Sequence, residues 1–201
     1  MVFITLINFA PCNEAQNARC QNMDKEIIVK DKKFRLRIDA DEIQKNVKRV
    51  ADEINRDYNG DDIRFVGILN GSFMFAADLM KHIEVPCCID FVKVSSYSGT
   101  STTGNVKELI GLNNDIAGKD VVIVEDIVET GITMSKVLEM LRNLGARSVK
   151  IAVLVFKPES FKGEFNIDYI GFRLPKSFII GYGFDYDGYY RNLPGIYSLV
   201  E

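Results

Sequence analysis

Apolar positions in this chain follow two rhythms that take turns. Residues 63–69, 88–94, 121–125 and 149–156 are dense in apolar side chains and bounded by turn residues. Such runs read as strands buried in a parallel sheet. Residues 168–172 form a shorter fifth. Between the runs, apolar residues recur at helical spacing. Ile43, Val47, Val50, Ala51 and Ile54 mark one face of a helix that stops near Asn59 and Gly60. Asp39 sits at its N-cap, with Glu42 as the capping-box partner. Residues 72–83 read as a second helix. Met134, Val137, Leu138 and Leu141 mark a third, with Gly145 where a helix stop is expected. Strands alternating with helices predict an α/β fold with a mostly parallel central sheet flanked by helices. The two ends, residues 27–38 and 178–200, break the alternation and are expected to pack together as a small second lobe.

The third strand carries the most informative chemistry. Val121 to Val124 run directly into Glu125 and Asp126, and a loop rich in Thr and Gly leads into the third helix. This loop lies between a strand's carboxyl end and a helix's amino end, where open α/β sheets bind ligands. Free backbone N–H groups and the helix dipole favour a phosphate there. Paired carboxylates accept hydrogen bonds from ribose hydroxyls or hold a hard cation. Asn70, Gly71 and Ser72 form a second strand–turn–helix junction suited to an anion, or a plain turn, since Asn-Gly is common turn chemistry. Residues 94–107 are dense in Ser, Thr and Gly, and loops of this length are usually lids or unstructured hairpins. Lys157 ends the fourth strand, where a lysine is ordinarily solvated. Residues 178–195 are rich in aromatics and acids.

The run Glu125, Asp126, Ile127, Val128, Glu129, Thr130, Gly131, Ile132, Thr133 resembles the signature of the type I phosphoribosyltransferases, and more narrowly of their hypoxanthine-guanine group. The resemblance extends from about residue 24 to the C-terminus, through four separated motifs in the family's order. It implies Glu125 and Asp126 on the ribose, with Ile127, Val128 and residues 130–133 completing the sugar-phosphate site. It implies a pyrophosphate loop at Asn70 and Gly71, although the family has Lys or Arg where this chain has Asn70. The peptide bond before that position is often cis in the family. Ser96 and Tyr97 match the pair on the family's mobile loop, whose closure excludes water from the reacting centre. Lys157 would donate to the 6-oxo group of a purine, Phe178 would stack on the ring, and Ile179 would meet its edge through the backbone. Asp185 would serve the base or a metal, and Arg191 the pyrophosphate. Glu129 stands where the family has the Asp that takes a proton from the base. The resemblance further implies Mg2+, held by Glu125, Asp126 and Asp185, and a homodimer or homotetramer. The implied activity is purine salvage. Phosphoribosyl pyrophosphate and a 6-oxopurine would give IMP or GMP plus pyrophosphate.

Length and charge agree with that picture and narrow it. The chain has 201 residues, enough for one domain with a sizeable core. A net charge of −3 with no basic block argues against nucleic acid or an acidic membrane as partner, and so against the rival reading, a phosphoribosyl pyrophosphate-sensing regulator of RNA or DNA. GxGxxG and GxxxxGK[ST] motifs are absent from the sequence, which excludes dehydrogenase and P-loop readings. The cysteines Cys12, Cys20, Cys87 and Cys88 lack metal-ligand spacing and are expected as free thiols in a reducing compartment, the cytoplasm. His82 has no expected role in catalysis. Residues 1–22 match neither the alternation nor the resemblance and are expected to be a poorly ordered, functionally silent extension. The remaining residues, 23–201, are expected to form one domain, with the small lobe drawn from about 24–38 and 173–201.

Overall fold

A computed structural model describes residues 26–94, 109–110, 112 and 115–200. Its principal element is a six-stranded sheet. The strands are β3 (Ile63–Leu69), β4 (Cys87–Val94), β5 (Leu109–Ile110), β6 (Asp120–Val128), β7 (Ser148–Phe156) and β8 (Tyr169–Arg173), in the spatial order β5-β4-β3-β6-β7-β8. All neighbours pair in parallel except β5, which runs antiparallel to β4. Period-two alternation along the central strands sends side chains to opposite faces. Val122 and Val124 meet the helices α1 (Ala40–Asp57) and α2 (Phe73–Met80) on one face; Val121 and Ile123 meet α3 (Ile132–Asn143) on the other.

The expected α/β class therefore holds, and the details follow the sequence pattern. Ile43, Val47, Val50, Ala51 and Ile54 are all buried on one side of α1, and Asp39 caps it by accepting from the Glu42 N–H at 2.8 Å. The helix stops at Asp57, just short of the Asn59-Gly60 turn. Helix α2 is shorter than expected at both ends. Ser72 does not cap it; its hydroxyl donates to the Ile68 carbonyl at 2.6 Å, and His82 lies beyond the helix end.

The largest departure is in β6. The strand continues through Glu125 and Asp126 to Val128, rather than stopping at Glu125. Pairing explains this. Beyond Val124 the strand loses β3 as a neighbour but keeps β7, through Glu125–Val153, Ile127–Val155 and Val128–Phe156. The acids thus sit on a strand paired on one side only. From β3 the chain turns through α2 to β4, and from β6 it turns the other way through α3 to β7. The gap between β3 and β6 is the topological switch point, where such sheets place their ligands.

The two ends of the described residues meet in a second, antiparallel sheet, ordered β1 (Glu26–Val29), β2 (Lys32–Ile38), β10 (Ile196–Leu199), β9 (Ile179–Ile180). Val29, Phe34, Ile180 and Tyr197 form its buried centre. Cys87 and Cys88 are free thiols. No helix among the described residues is long and apolar enough to cross a membrane. Residues 1–22 lie outside the described residues, as do Ser96 and Tyr97.

Candidate active site

Glu125 and Asp126 begin the site. The Asp126 N–H donates to Glu125 Oε1 at 3.1 Å, and the Ile127 N–H donates to Asp126 Oδ1 at 2.8 Å. Burial raises the pKa of both acids. Glu125 is pushed well above the usual carboxylate range, with the neighbouring Asp126 charge adding to the effect. Asp126 is pushed up less freely, because Glu125, the Ile127 N–H and the Arg191 charge oppose the shift. Two desolvated acids side by side form a site short of positive charge and hydrogen-bond donors, which a sugar diol or a cation supplies.

The pyrophosphate-loop candidate packs directly on this pair. The Leu69–Asn70 peptide is cis, as the resemblance implied. A Cβ on Gly71 would fall 1.6 Å from Asp126 Oδ2, so no side chain fits there. Gly183, at φ +100°, approaches from the other side, and its Cβ would fall 2.3 Å from the Gly71 carbonyl oxygen. Arg191 Nη1 donates to the Gly183 carbonyl at 2.5 Å and pairs with Asp185 at 2.7 Å through Nη2. Asp185 also accepts from the Gly188 N–H at 2.7 Å. Asn70, Gly71, Asp126, Asp185 and Arg191 are thereby drawn into one crevice from three distant stretches of sequence.

Beyond β6 the chain turns at Gly131, whose φ of +81° sets the entry to α3. A Cβ there would press on the Phe161 ring at 2.7 Å, and Phe161 stands edge-on to both Phe156 and Phe165. This aromatic stack holds the loop from behind. A cavity of about 280 Å³ opens before it, lined by Glu125, Ile127, Val128, Glu129, Thr130, Gly131, Thr133 and Met134. The amino end of α3 directs its first-turn N–H groups and the positive end of the helix dipole to an anion here. Ile132 is 61% exposed and belongs to the mouth of the loop, not to the core.

A second cavity of about 180 Å³ lies alongside, lined by Asp126, Ile127, Glu129, Lys157, Phe178, Ile179, Phe184 and Asp185. Phe178 is braced by Phe34 and Tyr186 at ring-centre distances of 6.1 and 5.7 Å, yet stays 43% exposed, so part of its ring is available for stacking. Ile179 is held in β9 by pairing with β10. Lys157 is not the solvated strand end that its position suggests. It is 3% exposed, with its ammonium bonded to Glu129 and, at 2.6 Å, to the Ser177 carbonyl. The two cavities share Ile127 and Glu129.

Sequence reasoning missed Phe184, Gly183 and the Ser177 carbonyl. Nothing in the aromatic-rich run at 178–195 hinted that Gly183 would face Gly71. Among the described residues, no group of three or more His, Cys, Asp or Glu converges to hold a metal ion by itself.

Residues 39–187 match the phosphoribosyl transferase domain family. The hypoxanthine-guanine phosphoribosyltransferase of Bacillus subtilis (strain 168) is 41% identical over 160 residues, covering 79% of this chain and 89% of that protein. The enzyme of the same name from Staphylococcus epidermidis is 43% identical over 163 residues, covering 81% and 91%. The crystal structure of a hypoxanthine phosphoribosyltransferase from Staphylococcus aureus superposes with a TM-score of 0.75 at 40% identity, covering 82% of this chain and 90% of that one. The chain belongs to the phosphoribosyltransferase family, and within it to the hypoxanthine-guanine phosphoribosyltransferases.

Proposed function

We propose that this chain transfers the 5-phosphoribosyl group from phosphoribosyl pyrophosphate to hypoxanthine, and to guanine, in purine salvage, releasing pyrophosphate and IMP or GMP. The observation that carries this reading is the meeting of two cavities, one at a helix amino end and one against an exposed aromatic ring, at the single acid Glu129. A sugar phosphate and a planar base placed in them would have their reacting atoms beside that carboxylate.

In this reading the 5-phosphate sits on residues 130–133 and the ribose hydroxyls on Glu125 and Asp126. The base stacks on Phe178, and Lys157 donates to its 6-oxo group. Adenine, which offers a donor at that position, is rejected. The purine nitrogen forms its bond to the anomeric carbon as the bond to pyrophosphate breaks. Glu129 accepts the proton that the base gives up. Arg191, released from Asp185, meets the departing pyrophosphate with Asn70, Gly71, Ser96 and Tyr97. Holding both reactants in place does much of the work.

Mg2+ fits the hard oxygen donors at hand, since carboxylates together with substrate phosphates are its usual holders. Asp185, Glu125 and Asp126 would hold it, and when bound it neutralises charge on pyrophosphate. Free Cys87 and Cys88 suit a cytoplasmic location. A homodimer or homotetramer is the expected assembly. The regulator reading finds no support in an acidic chain or in the relatives it matches.

The test is nucleotide formation from hypoxanthine, guanine, xanthine and adenine, each with phosphoribosyl pyrophosphate and Mg2+. Hypoxanthine and guanine should react and adenine should not. Failure of every 6-oxopurine would overturn the reading.

A further inference from the structure

We propose that Lys157 is a positioning residue for Glu129, in addition to reading the 6-oxo group; this rests on the transferase reading above. Lys157 is buried to 97% of its surface, and a buried ammonium persists only where oxygens satisfy it. Two of its three N–H groups are placed on protein oxygens, one on Glu129 and one on the Ser177 carbonyl at 2.6 Å. The third is left for an acceptor in the cavity that Lys157 lines.

Glu129 is the opposite case. Its side chain is 47% exposed on a loop, and Lys157 is its side-chain partner among the described residues. A glutamate so placed, without an anchor, spreads over several rotamers. The ammonium pins one carboxylate oxygen and leaves the other for a ligand proton. The backbone makes the same link, since the Lys157 N–H donates to the Val128 carbonyl at 3.0 Å. The end of β7 is therefore tied to the start of the loop both through the main chain and through the ion pair. The methylene that distinguishes Glu129 from the family's Asp gives the carboxylate the length to fold back onto this fixed cation. One lysine thus fixes where the donor for the 6-oxo group lies relative to the acceptor for the base proton.

The test is a double-mutant cycle on hypoxanthine, with kcat and KM measured separately, and the single-turnover rate constant beside kcat, for wild type, Lys157→Met, Glu129→Gln and the pair. If Lys157 acts through Glu129, Lys157→Met should lower kcat at saturating base by about tenfold or more in the wild-type background. In the Glu129→Gln background it should change kcat by less than about twofold while still raising KM. An equal kcat loss in both backgrounds, or no kcat loss in the first, would overturn the proposal and confine Lys157 to base recognition. Should Lys157→Met fail to fold, Lys157→Arg carries the test. It keeps a cation for Glu129 and should hold kcat within about tenfold of wild type. A larger loss counts against the proposal. Wild-type protein that forms no nucleotide at all would refute the transferase reading instead, so the two failures are distinguishable.

Discussion

Glu125 and Asp126 adjoin at the end of β6, and burial raises the pKa of both. An acid whose folded pKa lies above its unfolded value stabilises the fold at low pH, and that contribution is lost as pH rises through the folded pKa. At neutral pH the pair therefore weighs against folding, a cost that binding of the proposed sugar diol or cation would offset. Glu125→Gln should raise the melting temperature in metal-free buffer, by roughly 2–4 °C for each kcal/mol relieved, while nucleotide formation collapses. A lowered melting temperature would show that the ionised pair is structurally required. The task proposed for Glu129 is different. Glu129→Gln should slow single-turnover chemistry by about 10²–10⁴ and leave phosphoribosyl pyrophosphate binding intact, whereas Glu129→Asp should keep most of the activity. Unchanged single-turnover chemistry in Glu129→Gln would mean that solvent takes the proton. The identity of these acids was legible in the sequence because they are adjacent and precede Thr-Gly. The burial of Lys157 was not. Its partners, Glu129 and the Ser177 carbonyl, lie on other segments, and no local pattern announces a lysine enclosed by them.

At the scale of elements, the site depends on where strands stop pairing. β3 accompanies β6 only to Val124, and the turn after β3 fills the gap with Gly71, whose missing side chain is the space that the Asp126 carboxylate occupies. Gly71→Ala should destabilise the fold by about 1–3 kcal/mol, as overpacking does, and raise the KM for phosphoribosyl pyrophosphate, because Asp126 must move aside. Chemical denaturation and steady-state kinetics on the same variant check both effects. A variant with wild-type stability and KM would mean that the loop yields freely. The helices and strands themselves were legible from periodicity, since α1 buries all five residues of the predicted face. The end of β6 was not, because charged residues read as the close of an apolar run, while pairing with β7 alone carries the strand through them.

At the scale of the whole molecule, acids away from the site shift in the direction opposite to those within it. Away from the site, the Arg147 guanidinium holds the Asp120 carboxyl below the usual carboxylate range, with the Ser148 hydroxyl assisting. Lys150 and Tyr169 do the same for Asp57. A depressed folded pKa gives stability that is present above the unfolded value of about 3.9 and is lost as pH falls through the folded one. Asp120→Asn should therefore lower the denaturation midpoint at neutral pH, and the difference from wild type should shrink as pH falls below about 4. A difference independent of pH would assign the effect to packing. The alternation of strands and helices made the α/β class legible. That the segments near both ends pack together as a small lobe was an expectation drawn only from their breaking the alternation; that they share one sheet was not legible. How Gly183 on that side meets Gly71 on the other depends on tertiary packing that no single segment encodes. The central claim is that the crevice at the switch point holds a sugar phosphate and an oxo-purine on either side of Glu129. A crystal structure with IMP tests it most directly. The account predicts the phosphate on the N–H groups of residues 130–133, the ribose hydroxyls on Glu125 and Asp126, and the base over Phe178 with its 6-oxo group on Lys157. IMP bound elsewhere, or with its base turned away from Phe178 and Lys157, would contradict it.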